Sequence, residues 1–158
     1  MRTKVPSTMA FESTNGMKEL ECESSGAKFL CTQLPRHWRS NKSLTDQFRV
    51  ISYHNIPDNT RCTLVAGNDE NQSAQLKNFT AYFHNNVAQF TDLRFVGKSG
   101  RGKFFNVSIS IWTEPIQHLL YKHAIKVTAD GPRPPRPKSG LSSKFYFFNF
   151  NTYINNNP

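Results

Sequence analysis

Apolar and polar residues alternate most clearly in two stretches of the chain. Phe105, Val107, Ile109 and Ile111 interleave with Asn106, Ser108 and Ser110. A period of two places one set of side chains on a buried face and the other in solvent, which predicts a strand. Ile125, Val127 and Ala129 interleave with Lys126, Thr128 and Asp130 in the same way. Shorter strand candidates lie around Phe48 to Ser52, Arg61 to Ala66, Ala81 to His84 and Val87 to Phe90. Turn signals separate them, at Ile56-Pro-Asp-Asn, Gly67-Asn-Asp, His84-Asn-Asn and the glycine-rich run 97–102. No long amphipathic helix and no internal repeat emerges. Many short strands with regular turns predict an all-β antiparallel sandwich or barrel.

Residues 1–24 are polar and unpatterned, and read as a flexible N-terminal arm. The run Gly131-Pro-Arg-Pro-Pro-Arg-Pro-Lys-Ser-Gly cannot continue a strand ladder, because proline lacks the amide donor. The domain is therefore expected to occupy 25–138. Residues 139–158 make an aromatic, Asn-rich tail to which no role is assigned.

Composition adds a partner. Twenty Lys and Arg against eleven Asp and Glu give a net charge of +9, a surplus that points to a polyanion. Aromatic residues at 13% favour an ordered domain over wholesale disorder. Cys22, Cys31 and Cys62 are odd in number and fit no zinc spacing, so neither a disulfide framework nor a metal site is expected. Reduced thiols of an intracellular protein are expected instead. No apolar run reads as a signal peptide or a membrane span. Four N-glycosylation patterns, at Asn41, Asn71, Asn78 and Asn106, pull the other way and keep a secreted domain open.

Three segments concentrate the positive charge. Arg36, Arg39 and Lys42 lie in the first, Arg94, Lys98, Arg101 and Lys103 in the second, and Lys126, Arg133, Arg136 and Lys138 in the third. On a sandwich, loops gather at the two ends of the sheets, and three basic loops at one end would make a claw for DNA. The middle segment resembles a nucleotide P-loop through Lys103, but Phe104 stands where Ser or Thr should hold magnesium, and a strand follows instead of a helix. Nucleotide hydrolysis is rejected, although the glycines still allow backbone amides to approach a phosphate. Pro134-Pro-Arg-Pro-Lys also fits a polyproline ligand of an SH3 domain as well as it fits a DNA contact. His37, His54, His84, His118 and His123 show no metal-ligand spacing, and no nucleophile motif is present, so catalysis and cofactors are not expected.

Four motifs carry a family resemblance. Leu34-Pro-Arg-His-Trp-Arg-Ser-Asn-Lys-Ser-Leu44, Ala66-Gly-Asn-Asp-Glu-Asn71, Asp92-Leu-Arg-Phe-Val-Gly-Lys-Ser-Gly-Arg-Gly-Lys103 and Ala124-Ile-Lys-Val-Thr-Ala-Asp-Gly-Pro-Arg133 resemble the Runt domain in order and spacing. The resemblance covers about 25–138. It implies an S-type immunoglobulin-like sandwich of the p53 and Rel kind, and recognition of duplex sites close to TGTGGT by loops at one end. The matching DNA-binding positions are Arg39 and Lys42, then Arg94, Lys98, Arg101, Gly102 and Lys103, then Lys126, Thr128, Ala129, Asp130, Arg133 and Arg136. The resemblance places Arg39, Arg101, Arg133 and Arg136 nearest the bases, where a planar guanidinium can donate twice to guanine. Asp130 is expected to fix Arg133 or to accept from a cytosine amine.

The same resemblance implies a heterodimer with a core-binding factor beta subunit, packed on a sheet face that carries Gly67, Asn68, Ser108, Trp112 and Gln117. Here the chain departs from the family. Ser108 replaces threonine, Trp112 phenylalanine, Gln72 tyrosine and Leu120 threonine. Elsewhere Ser40 replaces a cysteine, Ala129 a valine, and Pro137 interrupts a run of arginines. The leading expectation is a nuclear, non-enzymatic transcription factor. The competing readings are a secreted immunoglobulin-like adhesion domain and a polyanion- or RNA-binding protein without sequence preference.

Overall fold

The computed structural model describes residues 16–130. Eleven strands and no helix are found among them: β1 Met17–Glu21, β2 Lys28–Thr32, β3 His37–Arg39, β4 Phe48–Ser52, β5 Arg61–Gly67, β6 Leu76–Lys77, β7 Thr80–His84, β8 Val87–Phe90, β9 Arg94–Phe95, β10 Phe105–Ile111 and β11 Gln117–Thr128. Nine form one curled sheet in the order β1-β2-β4-β8-β7-β5-β10-β11-β3, and β6 pairs with β9 apart from it. The curl turns on β7. Thr80 to Tyr82 pair with β5, while Phe83 and His84 pair with β8. One strand thus serves two layers, which fold over a shared core in the antiparallel sandwich that the pattern predicts.

The alternation in β10 holds. Phe105, Val107, Ile109 and Ile111 are fully buried, while Ser108 is exposed and Asn106 and Ser110 are half-buried. They meet Phe29, Phe48, Phe83, Phe90 and Phe95 in one cluster, and burying each such side chain contributes about 1.5–3 kcal/mol. A buried hydrogen bond ties the layers, with the Leu34 N–H donating to the Tyr121 hydroxyl at 3.1 Å. Cys31 and Cys62 are buried free thiols, and burial pushes both up to about 12. They behave as small core residues.

Three expectations need correction. Met17–Glu21, placed by sequence in a flexible arm, forms β1 in full register with β2, and Leu20 and Cys22 join the core. The strand was hidden because only Leu20 in it is buried. Ala129 does not continue the β11 alternation, since the strand ends at Thr128 and Ala129 is exposed. β11 also starts earlier than its alternation suggests, because a bulge interrupts the pattern. Phe105 pairs with Ile125 but Val107 pairs with Tyr121, which leaves two extra residues on β11. His123 takes a φ of 50° there, and its N–H donates to the Asn106 side-chain oxygen at 2.8 Å. The bulge re-aims the end of β11, so that Lys126 to Thr128 run parallel to β3. The aromatic tail, the Pro-Arg run and residues 1–15 lie outside the described residues.

Candidate nucleic-acid interface

Three segments distant in sequence are hydrogen-bonded to one another pairwise at one end of the sandwich. The first is the loop after β3. The Ser40 N–H donates to the Thr128 carbonyl at 2.8 Å, which ties this loop to the end of β11. The Asn41 N–H donates to the Phe95 carbonyl at 2.7 Å, and the Ser40 hydroxyl to the Val96 carbonyl at 2.7 Å. Those bonds tie it to the loop after β9. Ser99 closes the triangle. Its hydroxyl accepts the Val127 N–H at 3.0 Å, and its own N–H donates to the Val127 carbonyl at 3.0 Å. Ser99 is 1% exposed. It gives β11 the partner that a neighbouring strand would otherwise supply.

The basic residues on this frame fall into two kinds. Arg39, Lys98 and Arg101 are exposed and have no ion-pair partner among the described residues. Gly102 beside Arg101 is exposed with a φ of 71°, and a side chain there would be strained. Others are engaged by the protein itself. The Arg94 guanidinium donates to both Asp92 oxygens at 3.0 and 3.1 Å and to the Asn41 carbonyl at 3.3 Å. The Arg94 guanidinium and the Ser43 hydroxyl hold the Asp92 carboxyl below its ordinary range. Arg94 is therefore a brace between the first and second loops. Lys103 meets Asp69 at 3.2 Å and Glu70 at 3.6 Å, and these carboxylates raise its pKa and keep it charged. Lys42 lies 4.4 Å over the Trp38 ring, whose indole N–H donates to the Lys42 carbonyl at 3.2 Å. Lys126 and Thr128 are half-buried on β11, where Thr128 meets the His37 ring at 2.7 Å, and Ala129 and Asp130 follow it, exposed. Arg133 and Arg136 lie outside the described residues.

The second expected surface is the outer face of β5, β10 and β11. Ser108 pairs across to Val65 and to Leu120, and the three form a row. Trp112 is 42% exposed. Its indole N–H donates to Thr63 at 2.9 Å, and the Arg61 guanidinium lies 4.4 Å over its ring. Gln117 is half-buried and donates to Thr113 at 3.1 Å. Gly67 admits no side chain, because an added Cβ would lie 2.3 Å from the Gln72 carbonyl. Asn68 is engaged from within. Its amide donates to the Ser99 and Phe104 carbonyls at 2.8 and 3.3 Å, and its oxygen accepts the Glu70 and Asn71 N–H groups at 3.0 and 2.8 Å.

Sequence reasoning assigned no role to Ser99 or Asp92, read Asn41 only as a glycosylation pattern, and noted Ser40 only as a departure. None of them carries a local signal, because Ser40, Asn41 and Ser99 act through main-chain partners far along the chain and the Asp92 carboxylate is held by Ser43, 49 positions away, as well as by Arg94.

The Runt-domain family model matches residues 11–138. The chain belongs to the Runt family. Its immunoglobulin-like architecture is thus the S-type, p53- and Rel-like fold. It is 46% identical over 127 residues to Runt-related transcription factor rnt-1 of Caenorhabditis elegans, an alignment covering 78% of this chain and 42% of that relative. The chain therefore spans less than half the length of this curated relative. Among the described residues no cluster of His, Cys, Asp or Glu could hold a metal ion, and no helix is long and apolar enough to cross a membrane.

Proposed function

We propose that this Runt-family chain is a nuclear transcription factor that binds duplex DNA at TGTGGT-like sites and regulates RNA polymerase II transcription. The observation that carries the reading is the pairwise bonding of three basic segments through Ser40, Asn41 and Ser99. A fixed frame with exposed arginines can hold base contacts in register, which a set of independent solvated turns cannot. Arg39, Arg101, Arg133 and Arg136 read bases, Lys98 and Lys126 position phosphates, and Asp130 orients Arg133. Arg94 and Lys103 serve first as internal braces. Titrating matched and scrambled duplexes at two salt concentrations, with single-stranded RNA as competitor, tests the reading. A preference for the matched duplex that RNA does not abolish is expected. Equal affinity for the two duplexes would overturn it.

A beta-subunit partner on the outer sheet face is the second part of the proposal. All the exposed large hydrophobics among the described residues, Val65, Phe79, Tyr82, Trp112 and Leu120, lie in strands of this sheet or adjoin them, Phe79 directly before β7 and Trp112 directly after β10. Such a cluster with a polar surround fits a protein interface. Asn68 contributes by shaping the 67–72 loop, since its amide already bonds within the chain.

A further inference from the structure

Beside the basic end, a column of three side chains stands without an assigned role. The Arg36 guanidinium lies 4.9 Å over the Phe104 ring, and the Phe104 ring stacks on His123 with centroids 5.7 Å apart and planes at 13°. Each layer comes from a different element: the residue before β3, the residue after Lys103, and the bulge of β11. The bulge holds His123 through Asn106, so the bottom of the column is anchored. The top is tied as well, because the Lys126 N–H donates to the Arg36 carbonyl at 2.8 Å. Lys126 itself stands between buried Ile125 and Val127 and points away from the core. Arg36 is exposed, and no carboxylate lies within ion-pair distance of it or of Lys126 among the described residues. The acids of the neighbouring loop, Asp69 and Glu70, are engaged by Lys103.

We propose that Arg36, set on Phe104 and His123, is an additional phosphate-binding residue that extends the DNA contact beyond the base-read segment onto the flanking backbone. The inference rests on the duplex-binding reading above. A long cationic side chain held on an aromatic face loses less rotamer freedom when it meets a phosphate than a free one does. Arg36 is bonded at Lys126, two residues from the tip of β11 at Thr128, about 7 Å along a strand, so it lies beside the base-reading end and not within it. Phe104 and His123 are positioning residues, because they act on the DNA only through Arg36.

The test compares the wild type with Arg36→Gln, Arg36→Lys and Phe104→Ala on two duplexes. One is a long duplex with TGTGGT at its centre. The other is hairpin-capped and carries one base pair on either side of TGTGGT. On the long duplex Arg36→Gln should lower the slope of log affinity against log salt by about 0.9, which narrows its gap from the wild type about 3.5-fold between 50 and 200 mM salt. Arg36→Lys should restore most of the slope, and Phe104→Ala should lose part of it with Arg36 intact. On the short duplex Arg36→Gln should bind as the wild type does. An unchanged slope on the long duplex, or the same loss on both duplexes, overturns the inference. If the wild type itself does not distinguish TGTGGT from a scrambled sequence, the duplex-binding reading fails instead. Thermal melts of each variant separate lost contacts from lost folding.

Discussion

Replacing Ser99 by alanine tests the bond that closes the triangle of loops. The side chain is 1% exposed, so water cannot easily take the place of its hydroxyl. The Val127 N–H, which donates to that hydroxyl at 3.0 Å, would be left buried without an acceptor. Lys126 and Thr128 turn main-chain groups to the opposite edge of β11, toward Arg36 and Ser40, so neither offers the Val127 N–H a substitute acceptor. An orphaned buried donor costs about 1–3 kcal/mol. For a domain of this size that corresponds to a fall in melting temperature of roughly 4–12 °C. The loop 97–103 also loses a tether, and re-ordering even one residue on binding costs about 1–2 kcal/mol. DNA affinity should therefore fall at least about fivefold, for matched and scrambled duplexes alike. Thermal denaturation followed by duplex titration of the same preparation measures both quantities. A Ser99→Ala protein that melts with the wild type and binds with unchanged affinity would refute the reasoning.

Asp92→Asn should weaken DNA binding at every pH tested by releasing Arg94 and the first loop. In the wild type the carboxyl titrates below its ordinary value, so the clamp is fully present above the usual carboxylate range. It is lost only as pH falls through the lowered value, and affinity measured from pH 8 down to 5 should show no step from this group. Gly67→Ala should destabilise the domain by about 1–3 kcal/mol in a denaturant titration, because the new methyl meets the Gln72 main chain and not a movable side chain. Lys98→Ala should reduce affinity for matched and scrambled duplexes equally and lower the salt slope by about 0.9. Arg101→Ala should cost about 1–3 kcal/mol on the matched site alone, and the reverse pattern for these two residues would exchange their roles.

The sequence by itself determined the strands whose burial is one-sided and the identity of the basic segments. In β10, backbone pleating alone sends alternate side chains to opposite faces, so Phe105 to Ile111 announce their state locally. The hairpin turn at Asn85 and Asn86 is equally local, since both residues take the positive φ that asparagine tolerates. Beyond such features the pattern fell silent. β1 has one buried side chain, β3 has three residues and β9 two, and all exist because a partner strand is there to bond them. The bulge at His123 breaks the period on which the reading depends. Charge was legible, but its use was not. Arg94 and Arg101 look alike in the second basic segment, yet Asp92 claims one and no acid among the described residues claims the other. Only the tertiary structure decided this, because Asp92 and Arg94, near neighbours in the chain, are locked as a brace by Ser43 and the Asn41 carbonyl, 49 and 53 positions away. Ser40 reaches Val96 across 56 positions and Ser99 reaches Val127 across 28. A hydrogen bond needs two groups within about 3 Å, and nothing in the order of residues fixes that distance until the sheet has curled and brought the loops to one end.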